Sequence, residues 1–145
     1  MRVLVQRSGK AKVTVDEKVV GSIDSGLMLL VGFTEGDDLE AVKHLAKKVV
    51  NLRIFPDEND VMNKSLLDFG GDILSISQFT LYGDARKGNR PSYINALKND
   101  LATPLYDAFI EELRTYGVKV ETGVFGADME ISFTNIGPTT ILLEK

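Results

Sequence analysis

Three short stretches of this sequence carry side chains of a type and spacing that could do chemistry. The first is Ser77-Gln78-Phe79-Thr80-Leu81, two hydroxyls and an amide within four positions where an apolar run gives way to irregular sequence. A strand running out into a loop is a usual place for a site; the same side chains can also simply satisfy nearby backbone groups. The second runs from Gly83 to Pro91 and holds Arg86, Lys87 and Arg90 within five residues, flanked by glycines. Such a loop can hold phosphates while its backbone flexes, or be an ordinary charged surface loop. The third, Asn135-Ile136-Gly137-Pro138-Thr139-Thr140, reads as a turn. Only ~5–6% of X-Pro bonds in folded proteins are cis, so sequence alone does not assign that state to Gly137-Pro138.

What is missing narrows the chemistry further. There is no cysteine and only one histidine, His44. His44 falls on the polar side of a helical pattern, four residues after Glu40, where weak i,i+4 pairing on a solvated face accounts for it. A Ser-His-Asp or Cys-His constellation is therefore excluded. No His/Cys cluster has zinc-ligand spacing, and Asp57-Glu58-Asn59-Asp60 lacks the EF-hand pattern. Neither a GxGxxG nor a Walker A loop occurs, and no metal or cofactor is expected.

The elements that must position these stretches follow from hydrophobic periodicity. Residues 2–7 and 11–15 alternate with period two and predict two half-buried strands, followed by a third at 18–23. Residues 27–33 are apolar on both faces and predict a central strand. A helix is expected from Asp38 to Val50, N-capped by Asp37 or Asp38, with Leu39, Val42, Leu45, Ala46 and Val49 on its inner stripe. A short strand at 52–55 ends at Pro56, and the stretch 57–65 reads as turns. Strand 72–77 leads into the Ser77 stretch. Helices are expected at 92–99 and 102–116, the second burying Leu105, Phe109, Ile110 and Leu113 and ending at Gly117. Strands at 118–122, 128–135 and 139–143 complete the chain. This order predicts an α/β fold: residues 1–145 as a single domain, with a curved, mixed, partly closed barrel-like sheet covered by helices.

Composition bounds the function class. The 145 residues are 43% hydrophobic and 26% charged, the balance of a soluble globular protein. The N-terminus has no apolar h-region, and no apolar run approaches the ~20 residues of a membrane span, so a cytoplasmic location without membrane contact is expected. The absence of cysteine fits a reducing compartment. Net charge is −4, whereas a protein that grips nucleic acid mainly through phosphates is usually basic. Any RNA contact must be local.

Taken together, RVLVQR at 2–7, MNKSL at 62–66, SQFTLYGD at 77–84, the RKG-RPS pattern at 86–92, GVFGADM at 123–129 and the Gly-Pro near the C-terminus resemble the bacterial and eukaryotic type of D-aminoacyl-tRNA deacylase. The resemblance runs nearly end to end. It departs at Ile136 and Thr139, where the family often has Asp and Val, at Ala85 (often Thr) and at Asn89 (often Arg).

The resemblance implies an esterase that releases D-amino acids, and glycine, from tRNA. Ser77, Gln78, Phe79 and Thr80 would form the catalytic wall for the terminal adenosine and ester. Gly137-Pro138 would be a cis turn that enters the partner's pocket in a homodimer and rejects L-amino acids; Arg7 would brace it. Ala102 and Met129 would line the pocket, and Arg86, Lys87 and Arg90 would contact tRNA. Without histidine or cysteine, a Thr80 nucleophile lacks an adjacent base. Water attack assisted by the ribose hydroxyl is the preferred route, with nucleophilic Thr80 as the alternative. Two other readings remain: a non-enzymatic nucleic-acid-binding module, and an esterase of small metabolites using Ser77 or Thr80.

Overall fold

Strand β1 (Arg2–Val15) organises the architecture of the computed structural model, which describes residues 1–145. The sequence predicts two strands here, and the structure has one. Its buried apolar positions, Val3 and Val5 in the first half and Ala11 and Val13 in the second, are separated by the polar interval Arg7–Lys10, in which Ser8 is buried. That interval disguises the continuity. The first half of β1 pairs antiparallel with β3 (Gly26–Gly32), from Arg2↔Gly32 to Ser8↔Gly26. The second half pairs with β2 (Lys18–Ile23), from Ala11↔Ile23 to Val15↔Lys18. Along the opposite edge runs β8 (Glu130–Glu144), from Arg2↔Glu144 to Thr14↔Glu130. The two C-terminal strands expected at 128–135 and 139–143 are thus one strand as well. It resumes past the Gly-Pro turn because β1 supplies pairing partners on both sides of it, from Gln6↔Thr140 and from Ser8↔Asn135.

The sheet extends from β3 to β6 (Asp72–Ser77) and β7 (Val120–Thr122), both pairings parallel. Such connections need crossovers, which α1 (Leu39–Asn51) and α3 (Asn99–Arg114) provide. The sheet curls until β2 meets β7. A Cβ on Gly21 would stand 2.7 Å from the Thr122 carbonyl oxygen, so only glycine permits this near closure into a barrel. As the sequence predicts, β3 is buried on both faces, and β6 is as well. Leu27, Leu29 and Ile73 join the core under the helices, and Met28, Leu74 and Ile76 fill the barrel interior with Ala11, Val13 and Ile23.

Helix α1 is capped by Asp38, whose carboxylate accepts the Ala41 N–H at 2.9 Å. Asp37 instead accepts from the N-terminal ammonium at 2.6 Å and from the Thr34 N–H at 2.8 Å. Val42, Leu45, Ala46 and Val49 are buried as the stripe predicts, with Ala41 and Val50 added; Leu39, the first helical residue, is exposed. His44 is exposed on the outer face. The strand expected at 52–55 shrinks to β4 (Phe55–Pro56), because Leu52 caps α1; β4 pairs with β5 (Met62–Lys64) inside the expected turn region. Ser65 and Asp68 form a reciprocal capping box on the short α2 (Leu66–Phe69).

The helix expected at 92–99 does not form. Ser92 exchanges both backbone hydrogen bonds with Asp84 at 2.8 Å, and the Leu97 N–H donates to the Phe33 carbonyl at 2.9 Å. The backbone groups a helix would need are already committed. Helix α3 therefore starts at Asn99, three residues before the expected Ala102, and buries Ala102, Tyr106, Phe109, Ile110 and Leu113. No helix is long and apolar enough to cross a membrane.

Candidate active site

At the end of β6 the chain turns sharply. Beyond Ser77 it enters a 3₁₀ turn, Phe79–Tyr82, anchored by the Gln78 N–H donating to the Val31 carbonyl at 2.7 Å. The opening residues of such a turn have no carbonyl one turn back to bond. The N–H groups of Phe79 and Thr80 accordingly have no partner within the chain, while those of Leu81 and Gly83 do. The Thr80 hydroxyl accepts from the Gln78 amide. The turn thus presents two free backbone donors and an ordered hydroxyl at the edge of the barrel.

Beside this turn lies a cleft of about 300 Å³ between the 3₁₀ turn, the start of α3 and the segment 125–129. The consecutive Ser77, Gln78 and Phe79 line it together with Ala102 and Met129, which are distant in sequence. Thr80 lies one residue beyond the lining and connects to it through Gln78. Phe125, Asn99 and Asp128 also line the cleft and were not singled out from the sequence. The available signal for Phe125 and Asp128 is their place inside GVFGADM; nothing in the local pattern marks Asn99. Below the cleft, the Tyr106 hydroxyl donates to the Ser75 carbonyl at 2.9 Å and its ring packs against Phe125, centroids 5.7 Å apart. Burial pushes its phenol up to about 12, so it stays a neutral donor that fixes the floor.

Gly123 gives Met129 its place. A Cβ there would collide with the Met129 sulfur, which would have to move.

Gly137 and Pro138 are not at this cleft within the same chain. Arg2 stands opposite Gly32 at the cleft end of the β1–β3 ladder, and Arg7 opposite Leu27. That separation is about 17 Å along a strand. Four residues, Ile136–Thr139, bulge from β8 where β1 supplies only Arg7, between the pairs Gln6↔Thr140 and Ser8↔Asn135. Arg7 fastens the bulge: its Nε donates to the Ile136 carbonyl at 3.2 Å and its Nη1 to the Ile54 carbonyl at 2.7 Å. Asn135 accepts the Thr139 N–H at 3.2 Å, and its amide donates to the Thr140 hydroxyl at 3.2 Å. The Gly137-Pro138 peptide is cis, and Gly137 has φ +121.

The basic loop is less uniform than its sequence suggests. Arg86 is paired with Asp84 through Nε at 2.9 Å and Nη2 at 2.6 Å. Those hydrogen bonds from Arg86 hold the Asp84 carboxyl down at about 2, so the pair persists across the physiological range. Lys87 and Arg90 are exposed and belong to none of the ion pairs.

The family model described as "D-Tyr-tRNA(Tyr) deacylase" matches residues 4–144. The chain belongs to this family. Relatives named D-aminoacyl-tRNA deacylase include one from Geobacillus sp. (strain WCH70), 57% identical over all of this chain and 95% of the relative. Another from Thermus aquaticus is 54% identical, again over all of this chain and 95% of the relative. Among solved structures, a "c-Myc DNA Unwinding Element Binding Protein" aligns with TM-score 0.93 at 36% identity, covering 100% of this chain and 99% of that one. A probable eukaryotic D-amino acid tRNA deacylase shares the fold with TM-score 0.85 at 22% identity, covering 98% and 97%. As a member of this family the chain is an enzyme, a deacylase of the hydrolase class.

The bulge geometry makes a direct prediction. A Cβ on Gly137 would fall 2.6 Å from the Thr139 hydroxyl and 3.0 Å from Arg7 Nη2, at a φ that side chains rarely adopt. Gly137→Ala should lower unfolding free energy by about 1–3 kcal/mol in urea titration. Gly9→Ala, whose Cβ would meet Ile136 at an ordinary 3.5 Å, should cost clearly less. Equal losses would show that the bulge is not held as described.

Proposed function

We propose that this protein hydrolyses the ester joining a D-amino acid to the 3′ end of tRNA, releasing the amino acid and free tRNA. The observation that carries the reading is the convergence of Ser77, Gln78, Phe79, Ala102 and Met129 on one cleft beside two unsatisfied N–H groups in a family member. In this reading the terminal adenosine and ester occupy the cleft. Water attacks the ester carbon, assisted by the vicinal ribose hydroxyl. The Phe79 and Thr80 N–H groups stabilise the developing oxyanion, and the ribose oxygen leaves with a proton. The Thr80 hydroxyl, engaged by Gln78, orders the wall and forms no covalent bond. The zero-cysteine composition is compatible with our assignment of the protein to the cytoplasm.

Chirality is assigned to Gly137-Pro138 of a second subunit. A bulge clamped by Arg7 yet remote from its own cleft is well placed to serve a neighbour's. Lacking a Cβ, Gly137 lets a backbone carbonyl approach the substrate ammonium while the turn occupies the direction of an L side chain. Exclusion of this kind ignores which D side chain is present and admits glycine, so glycyl-tRNA is also a substrate in this reading.

The solved structure titled as a DNA-unwinding-element binding protein favours one other reading, a nucleic-acid binder without turnover. Matched D- and L-tyrosyl-tRNA separate the two. We expect D-tyrosyl-tRNA to be cleaved at least ~100-fold faster, about 2.7 kcal/mol of discrimination, with no acyl adduct on Thr80 by mass spectrometry of the quenched reaction. An intact ester, or equal rates on both enantiomers, would refute the deacylase; an adduct would refute water attack.

Site sharing is tested by mixing two inactive variants, Gly137→Ala with a damaged turn and Met129→Trp with an obstructed cleft. Refolded together, they should recover part of the wild-type rate, since each hybrid dimer holds one intact cleft facing one intact turn. A fully active monomer in light scattering, or no recovery on mixing, would return the filter to a single chain.

For the basic loop, Arg86, Lys87 and Arg90 are proposed to meet tRNA phosphates, with Arg86 partly withheld by Asp84. Asp84→Asn should tighten tRNA binding and steepen its salt dependence by up to about one charge. An unchanged slope would exclude Arg86 from the contact.

A further inference from the structure

We propose that Tyr93, packed edge-to-face with Phe79 at the rim of the cleft, is a stacking platform for the base of the nucleotide preceding the terminal adenosine of the bound RNA. The inference rests on the deacylase reading, because it places that adenosine in the cleft. Phe79 belongs to both features: it lines the cleft, and its ring meets the Tyr93 ring with centroids 5.1 Å apart and planes at 72°. Both rings remain open to solvent, Phe79 52% and Tyr93 42% exposed, and the neighbouring Ile94 is 87% exposed.

Tyr93 is held rather than loose. Its predecessor Ser92 is locked to Asp84 by paired backbone hydrogen bonds, and its own carbonyl accepts the Ala96 N–H at 3.0 Å. Its ring lies against Gly83, where a Cβ would come within 3.0 Å of Cε1. The segment that Asp84 and Ser92 close carries Lys87 and Arg90, exposed and outside every ion pair. A fixed, solvent-exposed aromatic side chain packed on a cleft residue, at the base of a loop that carries free cations, is the arrangement that binds single-stranded nucleic acid. Base–aromatic stacking is sequence-tolerant because every base has a π-face. It also suits an enzyme with net charge −4, since it adds affinity for the RNA end without adding cations.

The test is calorimetric binding of uncharged 3′-end fragments to the full-length protein. Probes are adenosine 5′-phosphate, the dinucleotide cytidylyl-adenosine, and the same dinucleotide with an abasic residue replacing cytidine. Wild type should bind the dinucleotide about tenfold more tightly than the mononucleotide, and the abasic probe should lose that advantage. Tyr93→Leu, which keeps apolar packing on Phe79, should reduce the advantage to less than about twofold, and Tyr93→Phe should retain it. Any of three results overturns the proposal: no dinucleotide advantage in wild type, an advantage that survives in Tyr93→Leu or with the abasic probe, or equal weakening of mononucleotide and dinucleotide in Tyr93→Leu. Failure to cleave charged tRNA counts against the deacylase reading alone, since these titrations involve no ester.

Discussion

The long antiparallel pairing of β1 with β8 is the constraint on which the rest of the structure depends. The fourteen residues of β1 have neighbours along both edges, β8 on one and β3 and then β2 on the other, with breaks in the ladder around Arg7 and Gly9-Lys10. Changing partner from β3 to β2 in mid-strand is what lets the sheet curl back on itself. The closure then brings Gly21 against Thr122 and wraps a small apolar interior around Met28, Leu74 and Ile76. The same ladder forces the surplus residues of β8 outward as a bulge opposite Arg7, because strand pairing leaves them no partner. One length of backbone hydrogen bonding therefore fixes both the barrel and the position of the Gly-Pro turn.

The candidate site is assembled from backbone more than from reactive side chains. Its polar contributions include a 3₁₀ turn with two unbonded N–H groups, a Gln78–Thr80 contact, a buried phenol that secures the floor, and the Ser77, Asn99 and Asp128 side chains of the lining. Chemistry that draws on donors fixed in place and on a hydroxyl carried by the substrate needs no histidine, and this chain has none near the cleft. Such a site is sensitive to geometry. Its supporting contacts, among them Gly123 beneath Met129 and Tyr106 beneath Ser75, matter as much as the residues that face the cleft.

Electrostatics is used sparingly and locally. With a net charge of −4, the chain commits a few arginines to specific neighbours. Arg2 lies over the Tyr82 ring at 4.5 Å and donates to the Leu81 carbonyl at 2.7 Å, stiffening the end of the 3₁₀ turn. Arg7 is spent on the β8 bulge and Arg86 on Asp84. Lys87 and Arg90 are left open on the same loop.

Local patterns in the sequence determined the strands, the two long helices and the stretches that carry the site. Alternation marks half-buried strands, an all-apolar run marks β3, and a 3.6-residue stripe marks α1, because each reflects burial within one element. The sequence likewise excluded histidine- and cysteine-based catalysis, since composition needs no geometry, and SQFTLYGD with RKG pointed to the family. Tertiary structure decided what depends on distant partners. It merged two pairs of expected strands into β1 and β8, since ladder continuity is supplied by the strand alongside. It replaced a helix at 92–99 with a loop whose hydrogen bonds go to Asp84 and Phe33, and it paired Arg86 with Asp84. It also collected residues from Val31 to Ile131 around one cleft and added Phe125, Asn99 and Asp128 to it. No spacing along the chain encodes that gathering, because closure of the sheet, not sequence proximity, sets which side chains meet.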